Sequence, residues 1–209
     1  MDDAKTVIVL DDDRATLRSL TLALELAGYR VRSYASAEAM LEDIDPAQSG
    51  CLLTDLMMPG MTGLQVQEVL NARGCTMPVI FMSAFADVPA TVRAMRGGAI
   101  DFVEKPCSTE VLITRIEAAL EIDGHQRDER NRQMDVRGRA GDLTRREAEV
   151  LQFVTEGLSN KEIARQLRIS PRTVEKYRAR VMEKMEADTV ADLCSMVSLL
   201  SDPNPGPRP

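Results

Sequence analysis

The 209-residue sequence predicts an α/β unit built on a parallel sheet, followed by a small all-helical unit. Two patterns carry this. From residue 5 to 121 short apolar runs alternate five times with segments of helical period, the order expected of a parallel sheet with helices on both faces. From 143 to 200 helical patterns follow one another with no strand candidate. Charge separates the halves as well. Residues 1–122 carry 10 basic and 18 acidic side chains, net −8, whereas residues 160–180 carry seven basic and two acidic ones, net +5. The whole-chain charge of −7 therefore hides a basic patch.

The first strand, residues 6–10, runs straight into Asp11, Asp12 and Asp13. Adjacent carboxylates repel, and burying one without a partner is costly. Asp also suits turns and helix N-caps, and Leu17, Leu20, Leu22, Leu24 and Leu26 follow on a helix-compatible pattern ending at Gly28. Asp13 fits that loop or cap reading; three acids ask for more. Further strands are expected at 30–34, 51–54, 78–82 and 100–103, with helices at about 14–27, 36–44, 62–71, 87–96 and 108–121.

Parallel sheets place functional groups at the carboxyl ends of their strands, near the topological switch point. The first strand ends at Asp11 and Asp12, the third at Asp55, the fourth at Ser83 and the fifth at Lys105. Three carboxylates, a hydroxyl and an amine then converge on one edge. Taken singly, Lys105 reads as a surface lysine and Ser83 as a turn residue; their fall at successive strand ends favours a site. The acids suit a hard divalent cation bound through oxygen, and Mg²⁺ prefers few carboxylates plus waters. Such an ion offsets the repulsion at Asp11–Asp13. A carboxylate can also act as a nucleophile toward phosphorus, in a transfer governed by positioning and charge neutralisation. Pro59, Gly60 and Gly63 shape a tight loop just past Asp55.

Residues 123–141 are polar and read as a linker that can in part extend the preceding helix, with Gly124 against a continuous one. The Pro-rich tail, 201–209, reads as disordered. Between them Thr144 and Glu147 form a capping box for a helix reaching about 157. A short helix spans 160–167, and Ser170 with Pro171 starts the next. Two helices joined by a short turn describe a helix-turn-helix. On the latter helix Val174, Tyr177, Val181, Met182 and Met185 form an apolar stripe. Arg172, Lys176, Ala179 and Arg180 face the other way, with Arg178 at the boundary. A basic face in this position suits phosphate and base-edge contacts in a major groove; a solvated helix face is the plainer alternative.

No run of 18 apolar residues exists and the N-terminus lacks a basic-then-apolar segment, so a soluble cytoplasmic protein is expected. Cys51, Cys75, Cys107 and Cys194 are scattered and suit reduced core thiols. The single histidine, His125, nearly excludes His-based zinc sites and leaves little scope for a Ser-His-Asp triad.

Through LDDD, TDLMMPGMTG, FMSA and DFVEKP, in that order, residues 5–121 resemble the receiver domain of two-component response regulators. The resemblance implies a flavodoxin-like, five-stranded doubly wound fold over residues 1–122, with Asp55 as phosphoryl acceptor. It implies Asp12 and Asp55 as direct Mg²⁺ ligands, Asp11 through a water, and the Met57 carbonyl. By the same match Ser83 and Lys105 contact the phosphoryl group, and Phe102 moves with Ser83 as the switch aromatic; plain core packing is the commoner fate of a strand Phe. X-Pro bonds permit a cis Lys105–Pro106 peptide. Two positions depart from the pattern: Cys107, where relatives often carry Phe, and Ala84-Phe85-Ala86 after Ser83, where close relatives often carry glycine and histidine.

Through LTRREAEVLQFVTEGLSNKEIARQL and ISPRTVEKYRARVMEKM, residues 143–189 resemble the LuxR-type helix-turn-helix. This implies a DNA-binding domain over 142–200, with Lys161 on phosphate and Arg172, Thr173, Lys176 and Arg180 near the groove. Tyr177 stands where relatives often have His, and 189–200 resembles the family's dimer helix. The two halves together look like the FixJ/NarL branch of response regulators. The expectation is a non-enzymatic transcription factor switched by a sensor histidine kinase. It binds promoter DNA, acts with RNA polymerase, and dimerises when phosphorylated through Val92, Arg96, Ile100 and Asp101; pairing of Arg96 with Asp101 within one chain, as a weak exposed salt bridge, is the plainer alternative. Two rival readings stay open: a haloacid-dehalogenase phosphatase, whose motif Ala15 misses, and a receiver serving only for dimerisation, against which the intact acid set argues.

Overall fold

The computed structural model describes residues 6–84 and 88–201. In the first unit, a five-stranded parallel sheet runs in the order β2-β1-β3-β4-β5. The strands are β1 (Thr6–Leu10), β2 (Arg30–Tyr34), β3 (Cys51–Asp55), β4 (Val79–Ser83) and β5 (Asp101–Glu104). Between them lie α1 (Arg14–Leu26), α2 (Ala37–Asp43), α3 (Gly63–Ala72) and α4 (Val88–Arg96). Each strand matches an expected run to within about a residue. The order reverses between β1 and β3, so the switch point falls where Asp11 and Asp55 leave their strands.

Strand alternation builds two cores. Ile8, Leu10, Leu52, Val79 and Phe81 face α2, α3 and α4, where Met40, Leu41, Val66, Leu70 and Ala94 pack on them. Val7, Val9, Cys51, Leu53, Ile80 and Met82 face the other way, against Leu17 and Leu24 of α1 and Leu112 and Ile116 of α5 (Thr109–Gly141). Both faces are covered, which is why these strands read as near-continuous apolar runs. The Lys105–Pro106 peptide is cis.

One expectation is corrected. Gly124 does not break the helix: α5 runs unbroken from Thr109 to Gly141, through the linker segment. Gly124 is tolerated because its cost is only about 1 kcal/mol of helix propensity and tertiary anchors act on either side. Just before it, buried Asp123 accepts from Ser49 Oγ at 2.8 Å and from the Gly50 amide at 3.0 Å. Further on, Val136 is buried in the second unit's core, and Arg139 pairs with Asp135 one turn away and with Glu186.

By contacts the chain divides between Arg127 and Asp128, inside α5. The second unit holds the end of α5 with α6 (Arg145–Thr155), α7 (Asn160–Leu167), α8 (Pro171–Met185) and α9 (Val190–Ser201). Val150, Val154, Ile163, Val174, Val181, Met185 and Leu193 form its core. The capping boxes at Thr144/Glu147 and Ser159/Glu162 start α6 and α7, and Ser170 caps α8 with Pro171 in the first turn. Phe85, Ala86 and the tail beyond Ser201 lie outside the described residues. Among the described residues no helix is long and apolar enough to cross a membrane.

Candidate functional site

At the carboxyl edge of the sheet Asp11, Asp12 and Asp55 come together. One carboxylate oxygen of each lies within 4.8 Å of the others. Asp11 is almost wholly buried, Asp55 half-buried and Asp12 exposed. The Lys105 ammonium, at the end of β5, bridges Asp11 Oδ2 and Asp55 Oδ2 at 2.7 Å each. Burial alone would lower the Lys105 pKa. The hydrogen bonds and negative charge of Asp11 and Asp55 outweigh that and raise it, so the amine is charged at neutral pH.

Local structure fixes the remaining oxygens. The Asp13 amide donates to Asp11 Oδ1 at 2.9 Å, and the Met57 amide donates to Asp55 Oδ1 at 3.0 Å. Asp13 itself caps α1, accepting from the Ala15 and Thr16 amides. These bonds, with Ala15 first, hold its carboxyl below the usual range. It is the cap residue that its position suggested.

Ser83 ends β4 and is buried, and its carbonyl accepts from the Lys105 amide at 2.8 Å. Phe102 is half-buried on the α3/α4 side of the sheet, opposite Phe81 in the β4–β5 register. The Met57 side chain is exposed beside Asp55. Hard carboxylate oxygens from three residues, partly compensated by one amine, form a donor set that fits a small oxygen-loving cation. An anion brought to Asp55 would meet the Lys105 charge.

On α4, Val92 and Arg96 are exposed along with Val88 and Met95, which sequence reading passed over. Ile100 and Asp101 are half-buried at the start of β5. Asp101 pairs with Arg115 of α5 at 3.0 Å, so the in-chain Arg96–Asp101 bridge considered as the plainer reading is not the pair that forms. Arg115 is distant in sequence and carried no motif to announce it.

In the second unit Arg172, Lys176, Ala179 and Arg180 line the exposed face of α8, while Val174, Val181 and Met185 are buried. Thr173 is half-buried, its amide and hydroxyl both engaging Ser170 Oγ, at 3.1 and 2.8 Å. Lys161 is exposed on the first turn of α7. Arg178 is half-buried and donates to Asn160 Oδ1 at 3.1 Å, bracing α8 against the start of α7. A boundary arginine thus has a scaffold partner within the helix pair.

An acid cluster at the strand ends of a doubly wound sheet and a basic helix-turn-helix stand on one chain, the make-up of a two-domain regulatory protein. Residues 7–117 match the response regulator receiver domain, and residues 142–197 match the luxR family of bacterial regulatory proteins. The chain is 43% identical to the transcriptional regulatory protein FixJ of Azorhizobium caulinodans, over 95% of this chain and 94% of that one. It is 37% identical to the response regulator protein TodT of Pseudomonas putida, over 96% and 88%. Among solved structures, response regulator StyR shares 38% identity at a TM-score of 0.85, covering 93% of this chain and 98% of that one. The protein therefore belongs to the response regulators that join a receiver domain to a LuxR-type DNA-binding domain, the group of FixJ and TodT.

Proposed function

We propose that Asp55 accepts a phosphoryl group from the phosphohistidine of a sensor kinase, and that this controls binding of promoter DNA by α7 and α8. The observation that carries it is the Lys105 ammonium held between Asp11 and Asp55 at the sheet edge, with Asp12 beside them. An Asp55 carboxylate oxygen forms a bond to phosphorus as the donor's nitrogen–phosphorus bond breaks, and the imidazole leaves with its electron pair and takes a proton. Mg²⁺, held by Asp12, Asp55 and the Met57 carbonyl, with Asp11 through a water, would supply positive charge against the phosphoryl oxygens. Lys105 gives up one carboxylate contact to pair with the new dianion. The Ser83 hydroxyl turns toward a phosphoryl oxygen, and Phe102 fills the space it leaves, biasing the packing of β4, α4 and β5.

The receiver then occupies residues 1–122 and the DNA-binding domain 142–200, with Lys161, Arg172, Thr173, Lys176 and Arg180 toward the groove. Val92, Arg96, Ile100 and Asp101 form the face on which two phosphorylated chains pair. The dimer acts on RNA polymerase at the promoter, in the cytoplasm, and the chain turns over no substrate of its own.

Intact-mass measurement after treatment with acetyl phosphate and Mg²⁺ tests the core of this. The wild type gains a single phosphoryl adduct; Asp55→Asn gains none, with an unchanged circular dichroism spectrum. An adduct that persists in the folded Asn variant places the acceptor elsewhere.

A further inference from the structure

The carboxylate of Asp55 takes its position from a main chain that is confined on two sides. Thr54, just before it, is fully buried, and its hydroxyl donates to the Asp55 carbonyl at 3.0 Å. Gly63, the buried first residue of α3, comes up to the same carbonyl from the far side of the loop. A Cβ on Gly63 would stand 2.3 Å from the Asp55 carbonyl oxygen, 3.2 Å from its carbon and 3.0 Å from Cε1 of Phe81. Gly63 does not need the left-handed conformation that glycine favours elsewhere. What the position demands is space.

The carbonyl is not free to retreat. The next amide, of Leu56, donates to Met82 O on β4 at 2.9 Å, and the Gly63 amide donates back to Leu56 O at 3.0 Å. Asp55 itself lies opposite Met82 in the β3–β4 register. The peptide carrying the acceptor is thus fastened to β4 on one side and to the start of α3 on the other. A side chain at 63 must either turn the Asp55 peptide or swing α3 away from it. Both displace a carboxylate whose Lys105 contact is 2.7 Å long and whose neighbours Asp11 and Asp12 lie within 4.8 Å.

We infer that Thr54 and Gly63 are positioning residues for Asp55. Together they set where its carboxylate meets the cation and the phosphodonor, Thr54 by a hydrogen bond and Gly63 by the absence of a side chain. The inference rests on the reading of Asp55 as acceptor.

The test uses the full-length protein and three variants. Thr54→Val keeps the shape and removes the hydroxyl. Gly63→Ala adds the Cβ. Leu70→Ala removes core volume at the other end of α3, away from Asp55. Mg²⁺ affinity is measured by titration calorimetry with no phosphodonor present, the acetyl phosphate labelling rate at saturating Mg²⁺, and thermal stability in parallel. Thr54→Val and Gly63→Ala are expected to weaken Mg²⁺ binding roughly 10–100-fold, the range found when groups supporting a metal ligand are removed. Both should also slow labelling, while Leu70→Ala lowers the melting temperature and leaves affinity and rate as in wild type. If Gly63→Ala does not fold, Thr54→Val decides alone. A folded Thr54→Val that binds Mg²⁺ and labels like wild type overturns the inference, as does Leu70→Ala weakening Mg²⁺ equally, which would reduce the effect to general destabilisation. Because the affinity measurement needs no phosphodonor, it separates failure of positioning from failure of Asp55 as acceptor, which the Asp55→Asn adduct reports.

Discussion

At the start of α6 the Glu147 carboxylate accepts from the Thr144 amide at 2.9 Å and from the Lys184 ammonium of α8 at 2.7 Å. It is buried, and Lys184 also donates to Asp142 O at 3.0 Å. The Lys184 hydrogen bond, followed by that of Thr144, lowers the Glu147 pKa from 4.5 to about 2. A carboxyl with a folded-state pKa below its unfolded value adds stability above the unfolded value and loses it as pH falls through the folded one. The window here runs from about pH 4.5 down to about 2. Glu147→Gln should melt at a lower temperature than wild type at neutral pH, and the gap between them should close as pH falls through that window. A gap that stays constant would mean the ionised carboxylate contributes nothing. Half of this arrangement was legible in the sequence: Thr144 and Glu147 stand at capping-box spacing, and a local motif needs only local residues. Lys184 lies 37 positions away and becomes a partner only once α6 and α8 pack. The same limit explains why Arg115 was not expected beside Asp101.

Strands and short helices were read almost to the residue because each carries its own signal: an apolar run, a cap, a turn glycine. The ends of β1, β3, β4 and β5 marked a candidate site whose Asp11, Asp55 and Lys105 do meet, since parallel topology turns strand ends into neighbours. The end of α5 was misread because its signal is not local. Gly124 and a polar sequence argue for a break, while the bonds that hold the helix come from Ser49 and Gly50 on one side and from the second unit's core on the other. Gly124 has nothing within 4 Å of where a Cβ would lie. Gly124→Ala should therefore stabilise the protein by about 0.5–1 kcal/mol, through helix propensity and a less disordered unfolded chain. Chemical denaturation with matched slopes measures this. Destabilisation would show that residue 124 is not helical in solution, and the expected break at Gly124 would return.

For the molecule as a whole, the uneven charge was the clearest sign that one chain holds two machines, and what joins them in function is the proposed dimer. On α4, Val88, Val92 and Met95 are exposed at 74%, 41% and 46%, a row of apolar side chains beside Arg96. Asp101 is already engaged by Arg115 within its own chain, so a bridge from a second chain's Arg96 would have to share it. Exposed ion pairs are worth about 0–1 kcal/mol, whereas fully burying one aliphatic side chain is worth about 1.5–3 kcal/mol, and the parts of Val88, Val92 and Met95 still exposed together exceed one such side chain. Apolar contact through Val92 should therefore govern pairing, with Arg96 adjusting it. Sedimentation of the full chain, with and without a phosphoryl mimic, separates the two contributions. The wild type is expected to shift to dimer with the mimic, Val92→Asp to remain monomeric, and Arg96→Asp to dimerise more weakly and with less dependence on salt. Pairing matters because a second DNA-binding domain held on the same dimer binds at the high effective concentration of a linked module, and a two-fold protein selects half-sites about one helical turn apart. Val92→Asp should thus lose phosphorylation-dependent DNA affinity while still taking the adduct at Asp55. If it still dimerises with the mimic, α4 is not the pairing face, and the route from Asp55 to DNA runs through another surface of the receiver.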